Sequence, residues 1–246
     1  MANKTVNRSV TRAFVNRKFS RPPIILGGCP RSGTTLLLSI LGSHPNILAI
    51  DYETTAFHPS LKPLRLLNGL LFTERNKRIT GKEKATRFCE KTPGNVRHVE
   101  EIDKFFDGKV CFINIMRDGR DVVTSIHPEN KSEYLVSPDV WLWDMRNILD
   151  AEKRDNVCTI KYEDLVGETA GTLKRICEFL DEPFLDEMLD YQRNTNVKDA
   201  NAWDSKAKPI HQQSIKKWER PEHTQRVNEF MANSKAVDML ERLGYA

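Results

Sequence analysis

The sequence lacks acidic residues over its first 50 positions, and the first carboxylate is that of Asp51. This stretch holds seven Lys or Arg, whereas the remaining chain carries 31 basic and 34 acidic residues. We expect residues 1–22 to form a basic arm, ordered or not, ahead of a single domain at 23–246. Such an arm helps to attract an anionic ligand, and contact with nucleic acid or a membrane surface is the alternative.

Cysteine is scarce and long hydrophobic runs are missing. The five cysteines are widely spaced and form no C-x-x-C pair, so the sequence indicates neither a zinc site nor a disulfide framework and favours a reducing compartment. No apolar run approaches the roughly 20 residues that cross a bilayer, and the first twenty residues contain no apolar block of signal-peptide length. We therefore expect a cytoplasmic protein without a transmembrane segment. Nothing in the sequence indicates an oligomeric state.

Apolar segments of strand type alternate with segments of helical type. Strand patterns occur at 23–26, 85–91, 109–117 and 156–163, and helical patterns occur at 33–43, 95–106, 118–126, 137–154, 164–180 and 221–243. Strands separated by helices predict parallel pairing with right-handed crossovers. The sequence thus predicts an α/β protein with three α/β/α layers and a central, mostly parallel sheet of P-loop type.

Two further segments carry functional interpretations. The polar stretch 193–217 is too long for an ordinary connection, which predicts a functional loop. The segment 57–84 has an amphipathic pattern and is either a helical lid over an acceptor pocket or an ordinary surface helix.

The segment "GGCPRSGTT" (27–35) lies between a strand pattern and a helix pattern. Its spacing is almost that of a triphosphate-binding P-loop, G-x-x-x-x-G-K-[ST], but Thr34 occupies the lysine position. A strand, a Gly-rich turn and a helix in this order present backbone N–H groups to an anion. Hydroxyl donors and one arginine, which can grip two oxygens at once, complete a site for a tetrahedral oxyanion. The candidate ligands are Arg31, Ser32, Gly33, Thr34 and Thr35.

A second signal is "INIMRDGRDVVTS" (113–125). A buried strand pattern ends at Arg117, and Ser125 lies eight residues later, about two turns into the next helix. Arg117 can bind a second phosphate, to which Ser125 adds a hydroxyl. Asp118 also fits the loose pattern of a strand followed by a magnesium-holding aspartate. This keeps a divergent P-loop kinase as one alternative, and a non-catalytic nucleotide- or nucleic-acid-binding protein is another.

Together, "CPRSGTT" and "RDGRDVVTS" resemble the motifs of sulfotransferases that use 3′-phosphoadenosine 5′-phosphosulfate (PAPS). The resemblance extends from residue 24 to 246. It implies that the first loop binds the 5′-phosphosulfate and that Arg117 and Ser125 bind the 3′-phosphate. Weaker similarities imply an active-site Lys91 in "EKTPGN", Tyr162 beside the adenine, and Ser214 and Lys217 in a late loop ("SIKKW") over the 3′-phosphate.

The resemblance implies transfer of a sulfuryl group from PAPS to a hydroxyl, with release of adenosine 3′,5′-bisphosphate (PAP). By analogy with phosphoryl transfer, catalysis rests on alignment and on charge stabilisation at the leaving oxygen, for which Arg31 and Lys91 are the available cations. No metal is required in this scheme. The acceptor is unidentified, and saccharides, lipids, peptides and phenols all stay open.

The general base is inferred from a second comparison within the family. Cytosolic small-molecule sulfotransferases carry a histidine in a K-T-H-x-P arrangement, and "KTPGN" lacks it. The tyrosylprotein and saccharide branch uses a glutamate, and Glu53 resembles the glutamate of that branch. The rivals as base are Asp51, Glu90 and His58.

Overall fold

The computed structural model describes residues 2–58, 60–75, 81–197 and 207–245. Within these residues, five strands form one parallel sheet in the order β2-β3-β1-β4-β5. The strands are β1 (Ile24–Gly28), β2 (Ile47–Ala49), β3 (Arg87–Lys91), β4 (Cys111–Met116) and β5 (Val157–Lys161). β1 lies at the centre, where Ile24 is in register with Cys89 on one side and Cys111 on the other.

Helices cover both faces of this sheet. They are α1 (Ala2–Lys18), α2 (Thr34–Leu41), α3 (Pro63–Arg75), α4 (Val99–Phe105), α5 (Gly119–Val123), α6 (Pro138–Ala151), α7 (Tyr162–Gly167), α8 (Thr169–Leu180), α9 (Tyr191–Asn194), α10 (Thr224–Met231) and α11 (Ser234–Arg242). Short 3₁₀ turns occur at Pro93–Arg97, Asp186–Met188, Lys217–Glu219 and Pro221–His223. No helix in the described ranges combines the length and the apolar character that spanning a membrane demands.

Alternate residues of the central strand enter different cores, as the two-residue period of a strand requires. Ile24 and Leu26 pack with residues of α2 and α8, whereas Ile25 packs with residues of α1, α3 and α4. A third cluster joins α6, α10 and α11 around Trp141. Because both faces are buried, β1 is an uninterrupted run of buried residues. The predicted three-layer α/β/α architecture is confirmed.

Several element boundaries differ from those predicted. β2 has only three residues, too few to give a strand pattern. The helical pattern at 164–180 is two helices, α7 and α8, separated at Glu168, where the backbone leaves the helical region (φ −125°, ψ 50°). The pattern at 221–243 divides similarly, and Asn233 caps the second helix by accepting a hydrogen bond from the Lys235 N–H.

The basic N-terminal segment is helical over Ala2–Lys18. The Thr11 hydroxyl donates to the Pro63 carbonyl of α3 (3.2 Å), and Val15 is buried in the core. Arg12 forms an ion pair with Asp107. Part of the early positive charge is therefore neutralised within the fold itself. In the predicted lid, residues 63–75 form α3, whereas 59 and 76–80 lie outside the described residues, as do 198–206 of the predicted loop.

Candidate active site

A cavity of about 930 Å³ lies at the carboxyl ends of the strands, where open α/β sheets bind their ligands. Arg31 follows β1, Lys91 ends β3, Arg117 follows β4 and Tyr162 follows β5. All the residues predicted for the site line this cavity except Ser32; they are Arg31, Gly33, Thr34, Thr35, Glu53, Lys91, Arg117, Ser125, Tyr162, Ser214 and Lys217.

The Gly-rich loop turns sharply between β1 and α2. Arg31 (φ 71°) and Gly33 (φ 94°) both adopt the left-handed conformation. The first helical hydrogen bond of α2 runs from the Leu37 N–H to the Gly33 carbonyl (3.1 Å). The N–H groups of Thr34 and Thr35 precede that bond and have no acceptor within the helix. Thr34 and Thr35 line the cavity, and backbone N–H groups at the start of a helix can donate to a bound anion.

Arg117 connects the parts of the predicted donor site. Its guanidinium donates to the main-chain carbonyls of Arg31 (2.8 Å) and Ser214. It also lies over the ring of Tyr162, 4.4 Å from the ring centre, and 3.4 Å from a carboxylate oxygen of Asp121. The side chain is almost entirely buried. One cation thus joins the Gly-rich loop, the ring after β5 and the late segment.

Asp121 holds the late segment against Arg117. Its carboxylate accepts hydrogen bonds from the N–H groups of Lys216 (2.9 Å) and Trp218 (3.1 Å). Burial raises the pKa of Asp121, while the charge of Arg117 lowers it. This role was not predicted from the sequence, although Asp121 stands only four residues after Arg117.

Lys217 completes a cluster of positive charge at this end of the cavity. Burial lowers the pKa of Lys217, and the positive charges of Arg117, Arg220 and Arg31 lower it further. A bound anion reverses this repulsion, because an opposite charge nearby favours the protonated amine. The electrostatics of the cluster therefore suit a negatively charged ligand.

The two predicted serine ligands differ in their surroundings. Ser125 lines the cavity, and its hydroxyl donates to the Asp121 carbonyl (2.9 Å). Ser32 is fully buried outside the lining, and its hydroxyl oxygen has no hydrogen-bond partner among the residues that the structure describes.

Lys91 and Glu53 both line the cavity and form an ion pair there. The Lys91 Nζ donates to Glu53 Oε1 at 2.6 Å. Lys91 ends a buried strand and is 6% exposed, whereas Glu53 lies on the irregular segment after β2 and is 46% exposed. The structure therefore brings together a cation and a carboxylate separated by 38 positions.

The rivals of Glu53 occupy different places. Asp51 lines the cavity, and desolvation raises its pKa. Glu90 is fully buried, and His58 contacts His98 at 3.3 Å; neither lines the cavity. Asp51 is therefore the rival that the geometry retains.

The rest of the lining is largely apolar or aromatic. None of these residues was predicted from the sequence, because they belong to no recognisable motif. They include Tyr52, Pro93, Pro128, Leu135, Val136 and Val140.

Asp118, the candidate magnesium ligand of the kinase alternative, instead caps a helix and pairs with an arginine. It caps α5 by accepting from the Arg120 N–H (2.9 Å), and its carboxylate pairs with the Arg120 guanidinium at 2.7 Å. It does not line the cavity. Among the residues that the structure describes, no group of three or more His, Cys, Asp or Glu is arranged to hold a metal. The kinase alternative loses its main support, because Asp118 is already paired.

A parallel sheet with an anion-binding loop after its central strand and cations after the neighbouring strands is the arrangement of an α/β protein of P-loop type. Comparison with known proteins identifies the family within this class. The profile of the sulfotransferase family matches residues 22–80 and 70–187. The chain belongs to the sulfotransferase family and is an enzyme of that class.

Curated relatives are similar over most of the chain. The protein-tyrosine sulfotransferase A of Caenorhabditis elegans is 25% identical over 91% of this chain and 67% of its own length. The protein-tyrosine sulfotransferase of Drosophila melanogaster is 24% identical over 80% of this chain. The chain spans about half (47%) of that second relative's length.

Solved structures share the fold. The sulfotransferase domain of the Synechococcus PCC 7002 olefin synthase superimposes with a TM-score of 0.60 at 20% identity, covering 93% of this chain and 96% of that chain. Mouse sulfotransferase SULT7A1, solved in complex with PAP, gives a TM-score of 0.55 at 18% identity over 96% of this chain and 94% of that chain.

Proposed function

We propose that the protein transfers a sulfuryl group from PAPS to an acceptor hydroxyl and releases PAP. The observation that carries this proposal is the single cavity shared by two sets of groups. One set is cationic and suits two phosphates, and the other is the contact between Lys91 and Glu53. The family membership of the chain supports the class of reaction.

The donor side is assigned from charge and hydrogen-bonding capacity. The N-terminus of α2 and Arg31 hold the 5′-phosphosulfate, because backbone N–H groups and a guanidinium are strong partners for a tetrahedral oxyanion. Arg117 and Lys217 hold the 3′-phosphate, and Ser125 and Ser214 lie beside it. Tyr162, already stacked with Arg117, packs against the adenine. The PAP complex of a structural relative is consistent with this nucleotide.

The transfer step needs a cation and a proton acceptor. The sulfur–oxygen bond to the 5′-phosphate breaks as a new bond forms to the acceptor oxygen, and the hydroxyl proton passes to Glu53. Lys91 and Arg31 stabilise the negative charge that develops on the leaving phosphate oxygen, the kind of electrostatic stabilisation on which transfer reactions depend. The positive charges of this scheme are all supplied by side chains, so the proposed reaction uses no metal.

The acceptor to test first is a tyrosyl hydroxyl. Three relatives that match most of the chain are named protein-tyrosine sulfotransferases. The aromatic and apolar part of the lining, including Tyr52 and Pro93, is compatible with a phenolic ring beside Glu53.

The decisive experiment has two arms. Calorimetry compares binding of PAP with binding of ATP plus magnesium, and we expect PAP to bind more tightly. Turnover is then measured with sulfur-labelled PAPS and four acceptors: a tyrosyl peptide, a simple phenol, a disaccharide and a lipid alcohol. Label transfer that persists in excess EDTA supports the proposal. Absence of PAP binding, or turnover that requires added magnesium and ATP, overturns it.

A further inference from the structure

Glu90 is a fully buried carboxylate directly before Lys91 in β3. Successive side chains of a strand point to opposite sides, and Glu90 is accordingly absent from the cavity lining to which Lys91 contributes. It cannot take a proton from a substrate bound there. A buried carboxylate is costly unless hydrogen bonds satisfy it, so its partners define what it does.

Each partner of Glu90 lies on a segment that carries a site residue. Oε1 accepts from the hydroxyls of Thr54 and Thr92, both at 2.7 Å. Oε2 accepts from the Asn95 amide at 2.7 Å, and the same amide also donates to the Leu26 carbonyl of β1 (2.9 Å). Burial raises the pKa of Glu90, while these three donors lower it. The network therefore anchors two loops to the central strand.

The two threonines are the chain neighbours of the facing pair. Thr54 follows Glu53, and Thr92 follows Lys91. A single carboxylate oxygen gathers both hydroxyls, so it sets the distance between the two backbones from which Glu53 and Lys91 extend. Lys91 has the support of a rigid strand, since it is the last residue of β3. Glu53 has none, because its segment is irregular.

The same network holds a strained backbone beside Glu53. Thr55 has φ 48°, a conformation that β-branched residues rarely adopt. Its N–H donates to the Thr92 hydroxyl (3.2 Å), which donates in turn to Glu90. Strained residues persist when the surrounding structure over-determines them, and here that restraint passes through Glu90.

We propose that Glu90 is a positioning residue for sulfuryl transfer: through Thr54 and Thr92 it fixes Glu53 and Lys91 relative to each other. This inference rests on the proposed function. Glu90 touches no substrate, and it acts only through its two hydroxyl partners. Because misplacement of a reacting group by about 1 Å can cost roughly 100-fold in rate, loosening the network should lower kcat and leave donor binding intact.

The central variant is Thr54→Val, which removes one hydroxyl and keeps the shape of the side chain. The matched control is Thr73→Val in α3, which also removes a buried hydroxyl, one that donates to the Gly69 carbonyl at 2.9 Å. We expect kcat for the tyrosyl peptide to fall about 10- to 100-fold in Thr54→Val, with an unchanged Kd for PAP. Thr73→Val should keep wild-type kcat, and thermal unfolding of both variants checks that each is folded.

A double-variant cycle separates positioning from a general loss of structure. If Thr54 acts through Glu53, adding Thr54→Val to Glu53→Gln lowers kcat no further, because the side chain being positioned has already lost its basicity. The proposal is contradicted if the fold-losses in kcat of the two single variants multiply in the double variant. It is also contradicted if kcat of Thr54→Val lies within threefold of kcat of Thr73→Val. Glu90→Gln should give the same selective fall in kcat, and Thr54→Val carries the test alone if Glu90→Gln does not fold. Wild-type protein without label transfer refutes the proposed function instead, so the two failures are distinguishable.

Discussion

Gly33 lies directly against the ring of Tyr162. A Cβ atom at Gly33 would approach Tyr162 Cδ2 to 2.4 Å, closer than atoms pack. The same ring also contacts Arg117, whose guanidinium lies 4.4 Å from the ring centre. The ring of Tyr162 therefore fixes the spacing between the Gly-rich loop and the arginine that follows β4.

Gly33→Ala should weaken PAP binding and destabilise the fold. The new methyl group displaces Tyr162, and φ 94° is unfavourable for alanine; such backbone strain typically costs about 1–3 kcal/mol. Thermal unfolding and calorimetry with PAP measure the two effects. Gly171→Ala in α8 is the matched control, because nothing lies within 4 Å of its Cβ position, and it should be neutral or stabilising by up to about 1 kcal/mol. Wild-type affinity in Gly33→Ala would show that this contact does not shape the donor site.

Arg117→Ala should discriminate between two nucleotides. A hydrogen bond to a charged group contributes roughly 1.5–3 kcal/mol, so PAP affinity should fall by about 10- to 150-fold. Adenosine 5′-phosphosulfate lacks the 3′-phosphate and should lose much less. Calorimetry with both nucleotides provides the test, with exposed Lys153→Ala as the control for loss of a surface cation. Equal losses of affinity for the two nucleotides would show that Arg117 does not bind the 3′-phosphate.

Glu53→Gln should reduce turnover without reducing donor affinity. The amide keeps the size of the side chain but cannot accept the hydroxyl proton, and losing a positioned general base typically costs about 10²–10⁴-fold in rate. A more acidic phenol should partly restore kcat, because it needs less help with its proton. Asp51→Asn is the matched variant, since Asp51 also lines the cavity. If Asp51→Asn loses the rate and Glu53→Gln stays within about threefold of wild type, the base is Asp51.

Because of Lys82, the free energy of unfolding should rise with pH in the alkaline range. Burial lowers the pKa of this lysine from 10.5 to about 8. Between these values the unfolded chain binds more protons than the folded chain, so the free energy of unfolding contributed by this group rises with pH. At about 1.36 kcal/mol per pKa unit, the full rise is on the order of 3 kcal/mol.

Lys82→Met should abolish that rise, and exposed Lys153→Met should retain it. Urea unfolding at pH 7 and pH 10 gives the comparison for all three proteins. A Lys82→Met protein with the same pH dependence as wild type would place the titration elsewhere.

The segments with local signatures were predictable from the sequence. Strand, Gly-rich turn and helix occur consecutively around Gly33, and the strand before Arg117 is apolar except for Asn114, so a short window of sequence contains each signal. The alternation of such segments also predicted the layered parallel sheet, because parallel strands need crossover connections. The roles assigned to Glu53 and Lys91 came from resemblance, and both stay predictions.

The relationships between distant residues were decided by the tertiary structure. The contact between Lys91 and Glu53 depends on how the segment after β2 packs beside β3, and β2 is itself too short to give a pattern. Asp121 meets the N–H groups of Lys216 and Trp218 only after the late segment has folded back over α5. Local sequence propensity predicts which residues form a strand or a helix. These contacts instead depend on the packing of buried surfaces from segments that are far apart in the sequence. For that reason the sequence by itself determined the fold and the anion-binding motifs, and only the packed structure decided which side chains face each other within the site.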